Sequence, residues 1–189
     1  MRALAIFFAV AVLVVGCHDS ITAPPPPPAA SVPQPLVIAG KTIAETYSAK
    51  CIRIIDGDTI EIVLDDATIE DRTPNIRLES IDTPETGSKN IPGQPFANEA
   101  REAVKSLCVG KVVQVHQTKV DRFGRPLAFI EVDGVNVNAE LIRRGLAWHF
   151  KRYSDSDELA ELEAAARDAK RGLWIDPEPL PPWEWRSKN

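Results

Sequence analysis

The sequence predicts an α+β fold, a small closed five-stranded barrel of the OB type with three helices. A split α+β sheet is the other arrangement it allows. Three observations carry this expectation. Five short runs rich in β-branched residues are punctuated by Asp-Gly and proline turns. One helical period lies between the third and fourth runs. Two more helical periods follow the fifth.

The first strand is expected over Cys51 to Ile55, and Asp56-Gly57 is a turn signal. Ile60, Ile62 and Leu64 then alternate with Thr59, Glu61 and Val63, which completes a hairpin. Asp65 to Arg72 reads as a polar loop and Asn75 to Ile81 as a third strand. Thr83 to Pro95 holds three prolines and two glycines, so it is an irregular loop. Pro95 suits the first position of a helix, whose apolar face is Phe96, Ala100, Ala103, Val104 and Leu107, and Gly110 ends it. Val112 to His116 and Leu127 to Val132 are the fourth and fifth strands, joined by the turn-prone segment Asp121 to Pro126. After the tight turn Asp133-Gly134, a short helix spans Asn138 to Arg144 and stops at Gly145. Ser154 is expected to cap the third helix, with Asp157 at the capping-box position and Leu159, Leu162, Ala166 and Ala169 inward.

The ends of the chain read differently. Arg2 precedes an unbroken apolar run, Ala3 to Val15, shorter than the roughly 20 residues a membrane helix needs. It fits a secretory signal peptide over residues 1–16. Val14-Val15-Gly16-Cys17 resembles the lipobox of bacterial lipoproteins, which implies lipidation at Cys17; an ordinary signal peptide cleaved later is the alternative. Residues 17–45 then form a tether whose five consecutive prolines, Pro24 to Pro28, favour extended polyproline II. The folded domain is assigned to residues 46–175 and a Pro/Trp-rich extension to 176–189. On this reading the domain is exported and held at a membrane, facing the periplasm or the exterior. In such a compartment Cys51 and Cys108 are expected to pair as a disulfide, with roughly 4 kcal/mol from loop closure. Two buried free thiols are the alternative.

The formal charge is −5, so the chain as a whole is no nucleic-acid binder by its net field. A polyanion must meet a local basic patch or a bound cation. Lys119, Arg122 and Arg125 form one candidate patch, and Arg143, Arg144, Lys151 and Arg152 another. Phe123, Trp148 and Tyr153 can stack on bases or belong to the core.

Four segments supply chemistry. Asp58 follows a tight turn at the start of a strand, and Asp82 ends another strand. If the strands are neighbours, both carboxylates converge on one barrel edge, where a hard cation such as calcium accepts carboxylate, carbonyl and water oxygens. Glu85 lies three residues beyond Asp82 as a candidate general base. Arg77 and Arg125 supply planar forks that suit phosphate oxygens. His18, His116 and His149 have no metal spacing, and there is no glycine-rich phosphate loop or nucleophile elbow.

Ile55-Asp56-Gly57-Asp58-Thr59, Arg77 with Asp82-Thr83-Pro84-Glu85, Asp121-Arg122-Phe123-Gly124-Arg125 with Leu127-Ala128, and Gly145-Leu146-Ala147-Trp148 together resemble the staphylococcal nuclease (thermonuclease) family. The resemblance runs from about Cys51 to Trp174. It implies an OB barrel with three helices and calcium-dependent hydrolysis of DNA and RNA at the 5′ side of the phosphodiester. It implies that Asp58 and Asp82 bind calcium through carboxylates and Thr83 through its carbonyl, with Glu85 as general base. Arg77 and Arg125 would contact the scissile phosphate. Phe123 stands where the family often has Tyr, which keeps a ring and loses a hydroxyl donor, and Tyr153 matches a tyrosine near the nucleotide pocket. The tail from Asp176 to Arg186 resembles an extension of secreted bacterial members, so its tryptophans are expected to pack on a monomeric domain. A non-catalytic nucleic-acid-binding or adhesion module on the same fold is the rival reading, and the joint presence of Asp58, Arg77, Asp82, Glu85 and Arg125 argues against it.

Overall fold

Alternating apolar positions along paired strands build the wall that positions everything else. The structure, a computed structural model, describes residues 36–64 and 74–188. Its elements run β1 (Val37–Ile38), β2 (Lys41–Thr42), β3 (Glu45–Asp56), β4 (Thr59–Leu64), β5 (Asn75–Leu78), β6 (Ile81–Asp82), α1 (Ala97–Cys108), β7 (Val112–Val120), β8 (Pro126–Val132), β9 (Val135–Asn136), α2 (Val137–Arg143), β10 (Trp148–His149), α3 (Asp157–Asp168), a 3-10 turn (Gly172–Ile175) and α4 (Pro182–Lys188). Strand β3 pairs antiparallel with β4 and β7, β4 with β5, and β7 with β8. A parallel pairing of β5 with β8, Arg77 opposite Leu127, closes the ring. The closed five-stranded barrel is therefore the arrangement adopted, and the split sheet is not.

The core follows the pattern. Ile60, Ile62, Ile76, Leu78, Val113, Val115 and Ile130 are buried inside the barrel cluster with Leu141 and Ile142 of α2 and Leu159 of α3. Each such side chain contributes about 1.5–3 kcal/mol by leaving water. Asn138 is buried at the start of α2 and ties helix to barrel. Its Oδ1 accepts from the Ile130 amide at 3.0 Å, and its Nδ2 donates to the carbonyls of Glu79 (2.9 Å) and Ala128 (3.2 Å).

Several local expectations are corrected. The third helix is capped by Ser156, whose hydroxyl accepts from the Leu159 amide at 3.3 Å; Ser154 instead accepts from the Ser156 amide. Ala169 is exposed, and Glu163 takes the buried place on that face. Helix α1 starts at Ala97, not Pro95, because Phe96 adopts a left-handed conformation (φ 66°) at its N-cap. The strand expected over Asn75 to Ile81 is broken at Ser80 (φ 66°) into β5 and β6. The first strand begins at Glu45, and the β1–β2 hairpin lies within the stretch expected as tether, with Ile38 and Ile43 packed on the core. A fourth helix, α4, is added to the three expected.

Cys51 of β3 and Cys108 of α1 are both buried, and the structure holds them as free thiols instead of the expected disulfide. Burial pushes the Cys51 thiol up to about 11 and the Cys108 thiol up to about 12, with Cys51 adding to the latter. Both shifts favour the thiol form, whereas thiol–disulfide exchange proceeds through thiolate. The expected signal peptide, Cys17, the proline run and the loop over Asp65 to Arg72 lie outside the described residues. Among the described residues no helix is long and apolar enough to cross a membrane.

Candidate active site

Strand register assembles the site. The β3–β4 turn delivers Asp58 one residue before Thr59, and Thr59 pairs with Arg77 of β5. Gly57 makes that turn possible: a Cβ there would meet the Thr83 side chain at 2.7 Å and Ala100 at 3.0 Å. The break at Ser80 lets β6 run against β10, where Asp82 pairs with Trp148. The β5–β8 pairing then brings the turn before β8, and with it Arg125, to the same edge.

Asp58 and Asp82 are 2% and 0% exposed, and Arg77 bridges them. Its Nη1 donates to Asp58 Oδ1, and its Nη2 to Asp82 Oδ1 at 2.7 Å. Asp58 Oδ2 accepts from the Thr83 amide at 3.0 Å, which ties the two acidic segments together. Burial raises Asp58 well above the usual carboxylate range; Arg77 opposes this, and the nearby Asp56 and Asp82 add to it. Burial also works against the charge on Arg77, but Asp58 and Asp82 outweigh it and leave the guanidinium more basic than usual. The guanidinium therefore stays charged at every working pH.

A cavity of about 830 Å³ opens beside this cluster, lined among others by Arg77, Glu85, Phe123, Arg125, Tyr153 and Arg186. Arg125 reaches it from a turn closed by Asp121. One Asp121 oxygen accepts from the amides of Phe123 (2.8 Å) and Arg125 (2.9 Å), and the other from Arg125 Nε at 2.9 Å. Those bonds hold Asp121 below the usual range even though burial opposes them. Phe123 is 68% exposed, with the guanidinium groups of Arg122 and Arg125 at 4.7 and 5.6 Å from its ring. Tyr153 is half exposed and meets Phe150 edge-on at 4.9 Å. Trp148 is core, packed against Trp174 at 4.4 Å.

The two basic clusters separate. Lys119, Arg122, Arg125 and Arg152 line the cavity. Arg143 and Arg144 both pair with Glu140, and Lys151 with the buried Glu163. One site residue had no signal in the motifs. Arg186 of α4 donates Nη2 to Asp82 Oδ2 at 2.8 Å and Nη1 to Asp82 Oδ1 at 3.2 Å, and its Nη1 also bonds Glu85 Oε1. Only its place in the Trp-rich tail, expected to pack on the domain, hinted at it.

The donor set fits a hard divalent cation. Asp58 and Asp82 are two buried carboxylates whose mutual repulsion a cation would relieve, and carboxylate oxygens are the ligands a hard cation prefers. Among the described residues no group of three or more His, Cys, Asp or Glu is placed to hold a metal ion, so these side chains alone would not complete a coordination shell. The remaining positions would fall to Thr83, water and substrate oxygens.

Comparison with known proteins agrees with this architecture. Residues 75–176 match the family model described as staphylococcal nuclease homologue. The chain is 38% identical over 141 residues to an "uncharacterized endonuclease" of Escherichia coli O157:H7, covering 74% of this chain and 85% of that one. It is 34% identical over 156 residues to the "micrococcal nuclease" of Shigella flexneri, covering 76% and 83%. A "probable staphylococcal-like nuclease" of Oryza sativa subsp. japonica is 39% identical over 111 residues, 59% of this chain and 32% of that one. With the closed barrel, the matched segment and these relatives in agreement, the chain belongs to the staphylococcal nuclease family.

Proposed function

We propose that this chain is a calcium-dependent nuclease hydrolysing phosphodiester bonds of DNA and RNA at the 5′ side. The observation that carries the reading is the convergence of Asp58, Asp82 and Arg77 at the edge of a cavity that Glu85, Arg125, Phe123 and Tyr153 also line. Asp58 and Asp82, with the Thr83 carbonyl, would hold the calcium ion. When bound, that ion supplies positive charge to the phosphate and eases deprotonation of water.

The chain's own groups do the rest. Arg77 and Arg125 bind the phosphate from a strand and from a turn, and they stabilise the charge that its equatorial oxygens gain in the transition state. Glu85 accepts the proton of the attacking water. Phe123 and Tyr153 present rings on which bases stack without regard to identity. Lys119, Arg122 and Arg152 provide the local positive field that a net charge of −5 denies.

Digestion of plasmid and single-stranded substrates tests the reading. Cleavage is expected with calcium and is abolished by a chelator. Absence of calcium-stimulated cleavage would count for the rival, a non-catalytic binding module. Export and anchoring through Cys17 belong to the same proposal, supported by the apolar run and the Val14-Val15-Gly16-Cys17 segment. Incorporation of a labelled fatty acid into the wild type but not into Cys17→Ser is the expected result. A monomer is expected on gel filtration.

A further inference from the structure

Arg186 stands about a hundred residues beyond the acids it touches, yet it is held there by more than its own charge. Trp183 of the same helix stacks on Phe150 (5.2 Å, 8° between planes) and meets Trp148 edge-on at 5.5 Å. Gln94 links the two segments. Its Nε2 donates to the Leu180 carbonyl at 2.9 Å, and its Oε1 accepts from the Glu85 amide at 2.9 Å. The tail is thus bonded to the loop that carries Glu85, and Trp183 is seated on the element beside Asp82.

The consequence lies in how the acid oxygens are used. Oδ1 of Asp82 takes bonds from both Arg77 and Arg186, and Oδ2 takes one from Arg186. Glu85 Oε1 is taken by the same guanidinium. A divalent ion on Asp82 needs at least one oxygen that Arg186 now covers. At Glu85 the same guanidinium engages Oε1, one of the two oxygens a general base there could use.

We propose that Arg186 is the resident cation of this site: it neutralises Asp82 and Glu85 while the ion is absent, and it is displaced from Asp82 when the ion binds. The C-terminal helix then sets the cation concentration at which the site loads. This inference rests on the reading of Asp58 and Asp82 as cation ligands. Because Arg186 is tethered, it competes at a high effective concentration that dilution cannot remove. Charge-assisted bonds of this kind, part exposed to solvent, translate into about a 10- to 100-fold handicap for the incoming ion.

Calorimetric titration of the chelator-stripped full chain with calcium alone tests it, with no nucleic acid present. Arg186→Met is expected to tighten the dissociation constant about 10- to 100-fold. Arg186→Lys, which keeps the charge and loses the fork, is expected to fall between Arg186→Met and wild type. Arg152→Met removes a cavity-lining charge that makes no bond to these acids in the structure, and it should tighten binding by less than about threefold. Asp82→Asn should lose binding in either background. Thermal melts of each variant verify folding. Unchanged or weaker binding in Arg186→Met, with wild type and Asp82→Asn behaving as stated, overturns the resident-cation role and leaves the cation site intact. Equal tightening in Arg186→Met and Arg152→Met also overturns it, since a general field then suffices. No calcium binding in wild type or in either Arg186 variant overturns both the site and the inference.

Discussion

The two arginines proposed to contact the phosphate, Arg77 and Arg125, are held in opposite ways. Arg77 sits in a barrel strand, 19% exposed, with two buried carboxylates as partners. Arg125 sits after Gly124 (φ 79°) in a surface turn, 35% exposed, with one carboxylate four residues away as its partner. Arg77 is therefore part of what makes the acidic cluster tolerable, and its position is as fixed as the barrel itself. Arg125 is oriented by the turn alone, and its removal leaves Asp121 still bonded by the amides of Phe123 and residue 125. The same residue type is thus part of the buried framework in one place and nearly independent of it in the other.

Substitutions at the two arginines and their partners test that contrast. The largest effect is expected for Arg77→Ala. It leaves the buried Asp58 without its guanidinium and Asp82 with Arg186 alone, so it should cost about 3–5 kcal/mol of stability in ion-free buffer and lower kcat by at least about 10²–10³-fold. Calcium should restore part of that stability, because a divalent ion relieves the same repulsion. Urea denaturation with and without calcium measures both. Arg125→Ala should lower kcat by about 10²-fold and change stability by less than about 1 kcal/mol, since Arg125 is part exposed and Asp121 keeps its two amide bonds. If both variants lose stability equally, the contrast fails.

Asp121→Asn is a subtler test of the turn. Its effect on Arg125 is indirect, so a severalfold rise in KM with little change in kcat is expected. An equally large loss in kcat would show that Asp121 does more than place Arg125. The smallest effect concerns pH. His149 of β10 is buried against the strand that carries Asp82, and burial holds its pKa below the usual value, with Glu163 pulling the other way. The unfolded chain then takes up the proton first as pH falls below about 6.5, so stability declines there by at most about 1.4 kcal/mol per pH unit and levels off below the folded-state pKa. The wild type should lose more urea resistance between pH 7.5 and pH 5.5 than His149→Phe does. Equal losses would show that His149 is not the source of the pH dependence.

What was legible in the sequence followed from locality. Asp56-Gly57-Asp58 announces a turn, alternation announces Ile60 and Ile62 as inward, and both features survive folding because neighbours in sequence decide them. The meeting of Asp58 with Asp82 depended on β4 and β5 being neighbours, which spacing suggested and register shows. Polar groups used far along the chain were not legible. Asn138 is a buried bracket between α2 and the barrel, although an asparagine in the first turn of a short helix reads as a cap or a surface residue. Glu163 replaces an apolar residue on α3 because Lys151 and Arg167 come to meet it. Arg186 is the extreme case: no local pattern distinguishes a tail arginine bound for Asp82 from a solvated one.

The central claim is that Arg77, fixed between Asp58 and Asp82, serves a calcium-dependent phosphodiester hydrolysis. The most direct measurement is single-turnover cleavage of a labelled single-stranded substrate by wild type and Arg77→Ala, each folded, with saturating calcium and then with chelator. Wild type should cleave only with calcium, and Arg77→Ala should be slower by at least about 10²-fold under the same conditions. Equal rates for the two proteins, or wild-type cleavage that persists in chelator, would contradict it.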